Sequence, residues 1–161
     1  MAGNQDADTL RLRHLLAEVR FADRYYAYCS EHRKRGPDIP LATQTAVLGE
    51  TGRTFRYHKG EKFFAWRDAN APDGCELGLN VQIDGHQIEW ILSFKALSGH
   101  IGDPFAVLAL NVRQLTQPTY RHDPPYPVPS AANKAELATV IEEGLALYDE
   151  IAAAIAKQTW K

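Results

Sequence analysis

Apolar and polar residues alternate most strictly from Cys75 to Lys95, CELGLNVQIDGHQIEWILSFK. Period two marks a strand with one buried face, and two such runs meeting at Asp84-Gly85 predict a β-hairpin. With those two residues at the centre of a type I′ turn, where positive φ is needed, Ile83 faces His86, Val81 faces Ile88, Leu79 faces Trp90, Leu77 faces Leu92 and Cys75 faces Phe94. The apolar residues then share one face, with His86 at its rim. Glu76, Asn80, Gln82, Gln87, Glu89 and Ser93 share the other, so a slip of one residue would expose the whole apolar set.

A second hairpin is predicted over GRTFRYHKGEKFFAW, residues 52–66, turning at Lys59-Gly60. A two-residue loop there pairs Phe55 with Phe64, Tyr57 with Lys62 and Arg53 with Trp66. Phe55, Tyr57, Phe64 and Trp66 then face the core. Thr54, Arg56, His58 and Glu61 lie opposite with Phe63, an aromatic left exposed unless something covers it. Arg67 to Gly74 is a loop into the first hairpin, and TQTAVL, residues 43–48, is expected as a short strand.

Helical spacing appears at both ends. Residues 1–8 are expected to be flexible. Asp8 or Thr9 caps a helix from about Leu10, with Leu12, Leu15, Leu16, Val19, Ala22 and Tyr26 on one face. Arg11, Arg13, Arg20 and Arg24 occupy its other face, and it runs out in His32-Arg33-Lys34-Arg35 before Gly36-Pro37. That basic end either complements the helix dipole or forms a contact patch. A last helix spans about Ala132 to Lys157, striped by Leu137, Val140, Ile141, Gly144, Tyr148, Ile151 and Ile155, with Gly144 marking a close approach to the sheet. FAVLALNVRQL, residues 105–115, fits a buried strand, or a helix capped by Asp103 with Pro104 in its first turn; a return strand extending the meander is favoured. Residues 116–131, with five prolines in TQPTYRHDPPYPVPS, form a strap that is neither helix nor central strand and lies along the body.

These elements predict one α+β domain over 1–161: an antiparallel β-meander of four to six strands, packed on one face by an N-terminal and a C-terminal helix. A chain of 161 residues is long enough to bury roughly 70% of its unfolded surface without a staple. A net charge of −2 disfavours a general nucleic-acid or membrane-surface binder. Cys29 and Cys75 lack secretory spacing, the N-terminus lacks an apolar h-region, and no run approaches the roughly 18 apolar residues of a span. We expect a cytoplasmic protein, bacterial in the style of its sequence.

The chemistry is less sharply written. The glycines form neither a P-loop nor a dinucleotide fingerprint, there is no GxSxG elbow, and the six histidines show neither HxH nor HExxH spacing, so no cofactor or metal is expected. Two clusters stand out. Arg53, Arg56, His58, Lys62, Phe63 and Arg67 mix basic and aromatic side chains on the second hairpin, a composition suited to a protein interface. Stacking of single-stranded nucleic acid is the lesser reading, because most of the hairpin's aromatics face the core. The other cluster is loop-borne: His100 and Asp103, with Arg121, His122 and Asp123, a set able to bind a ligand or do acid-base work if the two loops meet.

The expected function is therefore a non-catalytic binding protein that masks or regulates another protein, concretely immunity against a bacterial toxin. A basic first helix and second hairpin stand against an acidic last helix and hairpin rim, and segregated charge of this kind selects partners. The alternative is a small enzyme or ligand-binding domain at the His100 and His122 loops. Ile91 and Phe63, apolar on polar faces, admit a homodimer seam.

Overall fold

The computed structural model describes residues 2–160. Met1, the first residue of the expected flexible segment, lies outside the described residues, as does Lys161. The elements run α1 (Ala2–Glu18), α2 (Phe21–Glu31), α3 (Leu41–Gly49), β1 (Arg56–His58), β2 (Phe63–Arg67), β3 (Glu76–Asp84), β4 (Gln87–Ala96), β5 (Gly99–His100), α4 (Phe105–Gln114) and α5 (Lys134–Ala156). The strands form one antiparallel sheet in the order β1-β2-β3-β4-β5, the expected meander with five strands. Among the described residues no helix is long and apolar enough to cross a membrane.

The long hairpin keeps its faces but not its register. Asp84 pairs with Gln87, Ile83 with Ile88, Val81 with Trp90, Leu79 with Leu92 and Leu77 with Phe94. The central pair of the turn is thus Gly85-His86, with Gly85 at φ 63°, the arrangement of a glycine-first two-residue turn. The carbonyls of Gly85 and His86 accept from Ile39 N–H at 2.8 Å and Ala131 N–H at 3.0 Å. These long-range bonds hold the turn one residue further along. Partners move by two positions, an even shift, so every apolar side chain stays inward. The second hairpin behaves likewise: His58 pairs with Phe63 and Tyr57 with Phe64 across the loop 59–62, where Lys62 takes φ 56° and donates its N–H to His58 O.

Three helical expectations are corrected. Residues 2–8, expected flexible, are the first turns of α1, and Asp8 is no cap but a buried helix residue whose Oδ2 accepts from Ser98 Oγ at 2.6 Å. The single long helix is two. Arg20 at φ 58° breaks it, and the apolar face shifts by one residue, from Leu12, Leu15 and Leu16 to Phe21, Ala22, Tyr25, Tyr28 and Cys29. Arg33, Lys34 and Arg35 fall beyond the end of α2, which closes on His32, so they do not complement its last turn.

The segments 43–48 and 105–115, read as strands, are both helices. In α3 the buried residues are Gln44, Val47 and Leu48, and Gln44 Nε2 turns back to Ile39 O at 2.8 Å. In α4 the buried set is Phe105, Ala106, Leu108, Ala109 and Val112, the three-and-four spacing of one helical face, with Pro104 as N-cap. α5 buries the whole predicted stripe and is capped by Asn133 Oδ1, which accepts from Glu136 N–H at 2.9 Å.

Trp90 is the centre of the core. Its Nε1–H donates to Tyr28 Oη at 2.9 Å, and that hydroxyl donates to Val140 O at 2.7 Å, linking sheet, α2 and α5. Gly144 lies directly against the indole, where a Cβ would overlap Trp90 Cζ2 and Cε2. The strap follows the body as expected. Tyr25 Oη donates to Pro127 O at 2.7 Å, and Ile88 N–H donates to Pro129 O at 2.9 Å. With Asp103 O accepting from Leu92 N–H, and Phe94 O accepting from the Ile101 and Gly102 N–H groups, it covers the outer edge of β4 that β5 leaves free.

Candidate partner-binding face

Strand alternation turns Arg56 and His58 of β1, and Phe63, Ala65 and Arg67 of β2, toward the face that no helix covers. Ala65 sits between Arg56 and Asn80 in the ladder, and its methyl group leaves space that a longer side chain would fill. The result is an open concavity of about 700 Å³ lined by Gly52, Arg53, Thr54, Arg56, His58, Ala65, Trp66 and Arg67. Four of the six residues named from the basic-aromatic pattern, Arg53, Arg56, His58 and Arg67, converge there. Phe63 adjoins it, stacked on His58 with ring centroids 4.7 Å apart, which answers what covers that aromatic. Lys62 stands in the loop 59–62 and does not line the concavity.

The cations are not equivalent. Arg53 donates to both carboxylate oxygens of Asp149 at 2.8 Å and lies over the Trp66 ring at 4.7 Å, so its charge is neutralised and its plane fixed. Arg67 donates to Ser93 Oγ at 2.9 Å, a neutral partner that leaves its charge intact. Among the described residues Arg56 and His58 have no side-chain hydrogen bond or ion pair. Next to Ala65 in the ladder, Asn80 Oδ1 is buried without a hydrogen-bond partner among the described residues. Trp66, Thr54 and Asp149 escaped the sequence reading. Trp66 was assigned to the core by parity, and it does pack edge-on against Tyr148 at 5.3 Å while its other side supports Arg53. Nothing local in the sequence joins Arg53 to a residue 96 positions away.

The expected segregation of charge is partly cancelled by such pairs. Arg24 meets Glu150, Arg53 meets Asp149 and His32 meets Glu143, all on α5. Among the described residues the hairpin cations without an ion pair are then Arg56 and Arg67 on the open face and Lys59 and Lys62 in the loop.

The loop-borne cluster separates into two groups. His100 ends the sheet beside Lys95, its carbonyl accepting from Gln5 Nε2 at 2.9 Å. Burial pushes the nearby Asp103 carboxyl up, against the opposing pull of His100 and Arg13. His122 instead lies flat on Tyr26 at 3.9 Å, its Nδ1 at 2.8 Å from Tyr120 Oη, with Arg113 over both tyrosine rings. Burial and the Arg33 and Arg113 charges lower its pKa against the opposing pull of Asp123, while the stacking on Tyr26 and the Arg113 contact tie the strap to α2 and α4. Arg121 and Asp123 are exposed on the strap. Among the described residues no hydrogen bond or ion pair joins His100 or Asp103 to Arg121, His122 or Asp123. His86 occupies the turn rather than a rim, and burial pushes the Cys29 thiol up to about 12, holding it protonated.

Comparison with known protein families, with curated proteins and with solved structures finds no match to this chain.

Proposed function

We propose that this chain is a binding protein that masks or regulates an acidic protein partner, which it engages through the open face of β1 and β2. The observation that supports the reading is the convergence of Arg53, Arg56, His58 and Arg67 on one concavity, with Arg56 and Arg67 uncompensated by any carboxylate among the described residues. Arginine and aromatic residues are the side chains that most often anchor protein interfaces, and Trp66 and Phe63 flank the cations here. Immunity against a bacterial toxin is the narrower form of the proposal: inhibition by a basic patch placed over an acidic surface of the target.

The test is affinity purification of the tagged chain from its native cell, run beside Arg56→Glu/Arg67→Glu and beside Arg35→Glu as a charge control outside the face. A stoichiometric protein should stay with the native chain and with Arg35→Glu, leave with rising salt, and be missing from the double variant. For the narrower form, that protein should arrest growth when produced alone and not when the chain is co-produced. Retention of the same partner by the double variant would move the interface elsewhere on the molecule.

A further inference from the structure

On the helical side of the molecule, away from the basic concavity, the C-terminal end of α2 meets the middle of α5. Glu31 and His32 of the first helix face Glu143 of the second, and one donor atom from each lies within 4.8 Å of the others. We propose that Glu31, His32 and Glu143 bind a divalent transition-metal ion of the zinc class.

The imidazole is held in place before any ion arrives. His32 closes α2 as its C-cap, donating its N–H to Tyr28 O, and its carbonyl accepts from Ser130 N–H at 2.7 Å and from Ser130 Oγ at 3.1 Å. Its ring meets the edge of Tyr28 at 5.3 Å and its side chain is only 15% exposed, so Nε2 is aimed at α5 with little freedom. Tyr28 itself is tied to Val140 and Trp90, which fixes the spacing of the two helices beneath the site. The two glutamates are the adjustable members. Two metal–ligand bonds of about 2.1 Å span at most roughly 4.2 Å, so the carboxylates need to swing inward by up to about an ångström.

Charge argues for a divalent ion over a simple ion pair. His32 Nε2 already shares a hydrogen bond with Glu143 Oε2, so that pair occupies one carboxylate. Glu31 brings a second carboxylate to the same spot, and Arg24, which lines the same groove, is paired with Glu150. A divalent cation balances both carboxylates and replaces the proton between Nε2 and Oε2, which leaves to solvent. The nitrogen donor favours zinc-like ions over magnesium or calcium. Three protein ligands leave a position for water or an outside ligand, and the site opens on a concavity of about 320 Å³ bordered by Arg24, Tyr28, Glu31 and Glu143. A bound ion would clamp α2 to α5 and, through the His32 carbonyl, steady Ser130 of the strap.

The experiment is a calorimetric titration of zinc chloride into chelator-treated full-length protein, with magnesium chloride in parallel, on the native chain and on Glu31→Gln, His32→Gln and Glu143→Gln. One saturable zinc site is expected, with magnesium silent. Each glutamine variant of a glutamate should bind about tenfold more weakly or worse, and His32→Gln should lose the site. On the native chain, the ring nitrogens of His32 should shift in the 15N spectrum on zinc addition, a readout that does not depend on how any variant folds. No saturable binding, native affinity in the variants, or a shift confined to other histidines would overturn the assignment.

Discussion

The two faces of the sheet are made from alternate residues of the same strands, yet they live under different constraints. On the covered face Leu77, Leu79, Val81, Ile88, Trp90, Leu92 and Phe94 are each at most 2% exposed, locked by α2, α4 and α5. On the open face Asn80, Gln82, Glu89, Ile91 and Ser93 are only half-buried, and Arg56, His58 and Arg67 stand in solvent. One set answers to packing, where a misplaced methyl group is felt across several elements. The other answers to what comes to meet it. The contrast teaches where to look for function: the pleat halves the sheet, and the helices occupy only one half.

Three substitutions sharpen this contrast. Trp90→Ala should have the largest effect, destabilising by about 3–5 kcal/mol in urea unfolding, because it opens a cavity among α2, α4 and α5 and removes the donor to Tyr28 Oη. A loss below about 1 kcal/mol would mean that the covered face relaxes as freely as the open one. Gly144→Ala adds one methyl group where the indole already lies, and the cost should be about 1–3 kcal/mol by the same measurement. The opposite sign would show slack between α5 and the sheet. Arg56→Glu should leave stability within about 0.5 kcal/mol of native while slowing association with the partner in a salt-dependent way. Arg56 would prove structural if its loss melted the protein as Gly144→Ala does.

Legibility in the sequence followed the range of the forces involved. The α5 stripe and the inward residues of β3 and β4 were readable because periodicity is a local record of which face is buried. Register was not, since the even shift leaves periodicity untouched and depends on Ile39 and Ala131 reaching the turn from other elements. The segments 43–48 and 105–115 are apolar enough to suit strand or helix, and which they became depended on distant partners: α4 packs on β4, and α3 packs on α5. The break at Arg20 has no glycine or proline to announce it; burial of Phe21 against Phe105, with ring centroids 5.2 Å apart, accompanies the change of phase.

The candidate face divides the same way. Alternation alone put Arg56, His58 and Phe63 on one side of the hairpin, a conclusion that survives a shift of two in the pairing, whereas Arg67, read as the start of a loop, ends β2 on that same side. Composition alone could not tell which of those cations stay free. That depended on Asp149 arriving on α5 to neutralise Arg53, on Ser93 holding Arg67, and on the small Ala65 leaving a hollow between Arg56 and Asn80. The chain by itself determined the parity of each strand, the stripe of the last helix and the α+β class, because side-chain direction repeats with the backbone. Tertiary structure decided register, the number of helices and which charges remain unpaired, because each is set by groups far apart in sequence that meet only once the core has closed.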